Sequence, residues 1–148
     1  MTASGHARRA RRLAVPTGLL LIVASAGLRW ISATRVRTHL RRMARVVVLV
    51  TSGSVDGPVV RGAVRRADGA MPGQRSCLAK SLVAAALLEA AGRDATVRLG
   101  VARPDEGFQA HSWVESDGWV VVGDDYRLEQ YEPLGTLADV DAADYEFE

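Results

Sequence analysis

Cysteine is nearly absent from this chain of 148 residues, and its one thiol, Cys77, has no second cysteine to oxidise with. An internal disulfide is excluded, and nothing in the cysteine usage calls for an oxidising compartment. Aromatic residues are also scarce, eight in all, and none is interleaved with the basic residues as a stacking platform. That argues against a nucleic-acid surface. Acid is missing from the front of the chain: residues 1–66 hold 13 arginines and the single acid Asp56, whereas residues 67–148 hold six basic and sixteen acidic residues. Opposite halves of one molecule can neutralise each other, so the basic half alone identifies no partner. There is no repeat and no low-complexity tract, and the length suits about one domain with a modest apolar core.

Long uninterrupted apolar runs are missing as well. Arg8-Arg9 and Arg11-Arg12 precede an apolar run from Leu13 to Leu28 with the small residues Ala24-Ser25-Ala26, which is the outline of an export signal. Pro16 and Gly18 interrupt it, its strongest part is only Leu19 to Val23, and it leads into the arginine-studded segment Arg29 to Arg45. The expectation is a cytoplasmic chain, with membrane association through the N-terminal segment as the alternative.

Three regions are expected: a basic disordered arm over 1–12, an arginine-rich helical segment over 13–66, and a catalytic core over 67–148. Leu13 to Ala26 and Trp30 to Val50 read as helices, with Val46 to Val50 as a possible strand because β-branched residues crowd it. Val59 to Ala67 reads as a short helix ended by Asp68-Gly69. Ser76 is a good N-cap for Cys77 to Ala91, apolar nearly all round, with Gly92 as its stop. Thr96 to Ala102, Phe108 to Glu115 and Trp119 to Gly123 read as strands joined by short turns at Pro104 to Gly107 and at Asp117-Gly118, and the tail from Asp139 as a solvated acidic end. The fold class is α+β, a buried helix packed on an antiparallel sheet behind an N-terminal helical segment.

The chemistry gathers at the edges of these elements. Cys77 stands in the first turn of the buried helix, where peptide dipoles favour the thiolate and backbone N–H groups can stabilise an oxyanion. His111 lies on the second strand. If Asp117-Gly118 forms a two-residue turn, paired residue numbers sum to 235 and His111 faces Asp124, with Cβ atoms about 4.5 to 5.5 Å apart. A carboxylate there would fix the imidazole tautomer and leave the other ring nitrogen to act on the thiol. A bulge would exchange Asp124 for Asp125. Trp113 shares the face of His111, and Gln74 is a candidate oxyanion donor. His6 and His39 show no metal-ligand spacing with Cys77, so neither a metal nor a cofactor is expected.

Cys77-Leu78-Ala79-Lys80-Ser81-Leu82, Arg98-Leu99-Gly100-Val101, Ala110-His111-Ser112-Trp113-Val114-Glu115 and Gly123-Asp124 together resemble the transglutaminase-like leader peptidases of lasso-peptide maturation. The resemblance covers about residues 70 to 135 and implies a papain-like catalytic triad of Cys77, His111 and Asp124. It departs from the family at Lys80, commonly arginine, and at Ser112, commonly alanine. Such enzymes cut the leader from a ribosomally made precursor peptide, after which an ATP-dependent macrolactam synthetase, the lasso cyclase, closes the ring. The short N-terminal stretch resembles the stand-alone form, which relies on a separate leader-recognition protein. Two rival readings remain at this stage: an acyltransferase on the same scaffold, and a non-catalytic membrane or nucleic-acid adaptor acting through residues 1–66.

Overall fold

The computed structural model describes residues 3–51, 53–73, 75–102, 107, 109–124 and 128–137. Four helices precede four strands: α1 (Ala3–Gly27), α2 (Ala33–Val50), α3 (Gly57–Ala70), α4 (Cys77–Ala90), β1 (Thr96–Ala102), β2 (Gln109–Ser116), β3 (Trp119–Val122) and β4 (Glu132–Thr136). Each of the last three helices starts on a side-chain oxygen that satisfies an orphan N–H. Ser32 accepts from Arg35, Asp56 from Val59 and Ser76 from Ala79. Beyond Ala91, Gly92 takes a φ of 79°, and the Arg93 N–H returns to the Leu88 carbonyl at 2.9 Å. A left-handed glycine of this kind closes a helix without the steric cost a Cβ would bring.

α4 is apolar all round because it is covered all round. Ala79 and every residue from Ser81 to Leu88 are buried, in one cluster with Leu13, Leu20 and Leu21 of α1, Leu40 of α2, Val60 and Val64 of α3, and Val97 and Val114 of the sheet. α1 and α3 meet through small residues. A Cβ built on Gly62 would lie 2.8 Å from the Cβ of Ala10, so glycine is what lets the two backbones approach.

The sheet runs in the order β3-β2-β1-β4, all antiparallel. The protein is therefore α+β, as the sequence pattern implies. The hairpin between β2 and β3 turns on Asp117 (φ 52°) and Gly118 (φ 79°), the two positive values a type I′ turn needs.

Several sequence expectations need correction. Residues 3–12, expected as a disordered arm, form the first turns of α1. α3 runs through Asp68-Gly69 and across the expected boundary at 66/67, and α1, α2 and α3 share the core of α4. Val46 to Val50 is helical, in line with the helix reading of Trp30 to Val50 and against its strand alternative. β4 was not expected at all. Its sequence, Glu-Pro-Leu-Gly-Thr, lacks β-branched alternation, and Pro133 is accommodated because β4 is an edge strand pairing only with β1. Four of the five residues of the expected Pro104 to Gly107 turn and its neighbour Phe108, together with Gln74, Asp125 and the acidic tail from Asp139, fall outside the described residues, Gly107 excepted.

Candidate active site

Cys77 opens α4 and is half-buried, just after the Ser76 cap. The helix body is locked in the core, so the first turn is held in place while its end meets solvent. His111 is 5 % exposed on β2. Both residues line one cleft of about 440 Å³, together with Asp68, Lys80, Gly123 and Tyr131. Lys80 lies one turn beyond Cys77 and reaches Asp68 of α3, Nζ to Oδ2 at 3.5 Å.

The imidazole is fixed by its surroundings. His111 Nε2 lies 2.7 Å from the carbonyl oxygen of Gly123. A carbonyl can only accept, so Nε2 carries the proton and Nδ1 is the basic nitrogen of the neutral ring. The ring stacks on Trp113, with centroids 6.2 Å apart and planes inclined by 25°, and it tilts against Tyr131 at 5.2 Å. Trp113, 5 % exposed, is anchored in turn by donating Nε1–H to Glu115 at 3.1 Å, and Arg98 holds the other oxygen of Glu115 at 2.7 Å. Burial raises the Glu115 carboxyl, but the bonds from Arg98 and Trp113 and the Arg98 charge outweigh it, leaving it below its ordinary value of 4.5.

Two glycines make room for this ring stack. A Cβ on Gly100 would meet Trp113 Cζ3 at 2.9 Å and the Cβ of Tyr131 at 3.1 Å. One on Gly123, which has a φ of 106°, would meet the Cβ of Trp113 at 2.5 Å and the Ser112 carbonyl at 2.8 Å. Alternation along β2 sends Ser112 and Val114 toward α4, where Ser112 Oγ lies 3.1 Å from Ser81 Oγ in a fully buried pair. The hydroxyl at 112 thus finds its partner in the helix that carries Cys77.

Asp124 is placed differently from the sequence expectation. Paired numbers sum to 235 at Ser116↔Trp119 and Glu115↔Val120, but to 236 at Val114↔Val122, because a bulge intervenes. The constant register that set His111 against Asp124 therefore ends before reaching them. The Asp124 carboxylate lies 2.8 Å from Arg61 and 3.9 Å from Arg65 of α3 and lines a small neighbouring cavity of about 40 Å³. The structure thus brings Cys77 and His111 to one cleft and ties Asp124 to α3 beside it. The Gly123 carbonyl, Tyr131 and Arg61 were not identified from the sequence. A glycine directly before the candidate acid was the one available signal, since a backbone acceptor leaves no other trace in residue identity.

The sequence profile of the transglutaminase-like superfamily matches residues 18–136. The chain belongs to the transglutaminase-like superfamily. No curated protein and no solved structure matches it. The match begins inside α1 and takes in α2 and α3, so the arginine-rich helices are part of the transglutaminase-like domain. Members of this superfamily are usually cysteine-based enzymes, and the scaffold is consistent with cysteine peptidase or acyltransferase chemistry. Cys77 at a helix N-terminus, lining one cleft with an imidazole of defined tautomer, fits such chemistry. Among the described residues no cluster of histidine, cysteine and carboxylate side chains is arranged to hold a metal ion.

Proposed function

We propose that this protein is a cysteine peptidase that removes the leader from a ribosomally made lasso-peptide precursor. The observation that carries the reading is the shared cleft of Cys77 and His111, with Nε2 held by the Gly123 carbonyl and Nδ1 therefore the base. In this mechanism Nδ1 takes the Cys77 proton, and the thiolate adds to the carbonyl carbon of the leader–core amide. N–H groups at the start of α4 stabilise the oxyanion. The imidazolium then protonates the departing amine as the C–N bond breaks, leaving an acyl-enzyme thioester and the free core amine. Water, deprotonated by Nδ1, hydrolyses the thioester and releases the leader carboxylate.

Specificity for a lasso precursor rests on the four linked sequence motifs, all of which fall within the described α4, β1, β2 and the end of β3. The reading includes a cytoplasmic location, a separate leader-recognition protein that presents the precursor, and an ATP-dependent macrolactam synthetase that consumes the freed amine. The test is cleavage of a lasso-precursor peptide, supplied with a leader-recognition protein and read by mass spectrometry. Cys77→Ala is expected to abolish cleavage while leaving thermal unfolding unchanged, because Cys77 is half-buried at a helix end. Undiminished cleavage by that variant rejects the assignment. Transfer of the acyl group to an added amine, in preference to water, would reassign the protein as an acyltransferase on the same site.

A further inference from the structure

α1 shows solvent a face of unusual composition. Arg8, Arg11, Arg12, Val15, Leu19, Ile22 and Val23 recur at intervals of three and four residues, which places them along one side of a helix, and all seven are exposed. The apolar members are far from marginal: Val15 is 74 %, Leu19 60 % and Ile22 52 % exposed. Just past the end of the helix Arg29, Trp30 (86 % exposed) and Ile31 are exposed as well. The opposite side of α1 is committed, since Leu13, Leu20, Leu21 and Ala24 are sealed in the core.

We propose that this face docks the protein onto an anionic lipid bilayer, with α1 lying along the surface. Three features favour a lipid surface over other occupants. The charge is of one sign, with no acid before Asp56, so the face complements a negatively charged plane at any rotation about its normal. The apolar residues lie in the middle, the arginines at one end, and a tryptophan at the other, the arrangement in which apolar side chains enter the acyl boundary while arginine and indole stay at headgroup level. Nucleic acid is disfavoured because one exposed tryptophan offers no series of stacking platforms. Although α1 is long and apolar enough to cross a membrane, a span would expose its sealed leucines by pulling them out of the core. The exposed apolar stretch from Val15 to Val23 is only about 12 Å long, well short of a hydrocarbon core of about 30 Å. A surface contact satisfies both facts.

The experiment is cosedimentation of the full chain with vesicles of phosphatidylcholine alone and of phosphatidylcholine mixed with phosphatidylglycerol, at low and high salt. Binding is expected to the mixed vesicles only, with release at high salt. Changing Arg8, Arg11 and Arg12 together to Gln should weaken binding about a hundredfold, and Leu19→Ser with Ile22→Ser about tenfold. All five residues are exposed, so circular dichroism melts should be unaltered and precursor cleavage in the absence of lipid preserved. Equal binding to neutral vesicles, no binding to mixed vesicles, wild-type binding by either variant, or attachment that survives high salt would overturn the proposal. So would a lipid-free change of oligomeric state in the Leu19 and Ile22 variant with vesicle binding intact, which would make the face a contact between copies. The vesicle-binding and melting readouts do not depend on the peptidase assignment, so their failure is distinguishable from failure of that reading.

Discussion

His111 keeps its orientation through neighbours that each have one way to act. The Gly123 carbonyl can only accept, Trp113 is clamped by Glu115, and no side chain larger than hydrogen fits at 100 or 123 without moving the ring stack. The backbone acceptor fills the place usually given to a carboxylate, which frees Asp124 from that role. Asp124 is paired with Arg61, and Asp124→Asn should leave kcat for precursor cleavage within about tenfold of wild type, as a change outside the catalytic hydrogen bonds does. A loss of orders of magnitude would return the acid role to Asp124. Glu115 supplies a pH signature. Its carboxyl titrates lower in the folded protein than in the unfolded chain, so its stabilising contribution is complete above pH 4.5 and drains away as acid approaches the lowered value. Melting temperature should therefore fall more steeply in acid for wild type than for Glu115→Gln; parallel slopes would remove Glu115 from the ring clamp.

The elements differ in how much of them is written locally. α4 could be read from its sequence almost to the residue, because Ser76, an unbroken apolar run and Gly92 are short-range instructions. The β2–β3 turn was legible for the same reason, through Asp117-Gly118. What escaped was decided at a distance: β4 exists because β1 offers it an edge, and the bulge at Val121 breaks a register that the turn alone would have continued. The pairing of Arg61 with Asp124 needs 60 and more residues of chain to return to one place. The contact between α4 and β2 likewise involves a buried pair that neither sequence segment announces. Ser81 and Ser112 satisfy each other in an otherwise apolar layer, so Ser112→Ala or Ser81→Ala alone should cost about 1–3 kcal/mol by stranding a hydroxyl. The double variant should cost less than the two singles combined. Additive losses in chemical denaturation would show that the hydroxyls are satisfied elsewhere and do not couple the helix to the strand.

At the scale of the whole molecule, ion pairs cross between the oppositely charged halves. Arg37 and Arg41 of α2 both hold Glu89 of α4, and Arg61 and Arg65 of α3 hold Asp124 after β3. The pairs on Asp124 are partly open to solvent and contribute little stability each, whereas Arg37 and Glu89 are mostly buried. The cohesion comes from the shared apolar core, in which Leu13, Leu20, Leu21, Leu40, Val60 and Val64 lie with Leu82, Leu87 and Val114. An adaptor working through residues 1–66 would need those residues to be separable, and the catalytic elements would have to stand without them. Removing α1, α2 and most of α3 would expose the leucines of α4 on every side that the sheet does not cover, at about 1.5–3 kcal/mol for each large side chain returned to water. That loss is comparable with the whole stability of a domain this size. Residues 67–148 expressed alone should accordingly show no cooperative thermal transition and rapid amide exchange throughout α4, whereas the full chain should show one transition with α4 among its most protected segments. A cooperative transition in the fragment, with protection retained in α4, would restore residues 67–148 as an independent catalytic domain and leave the three helices as an appended module.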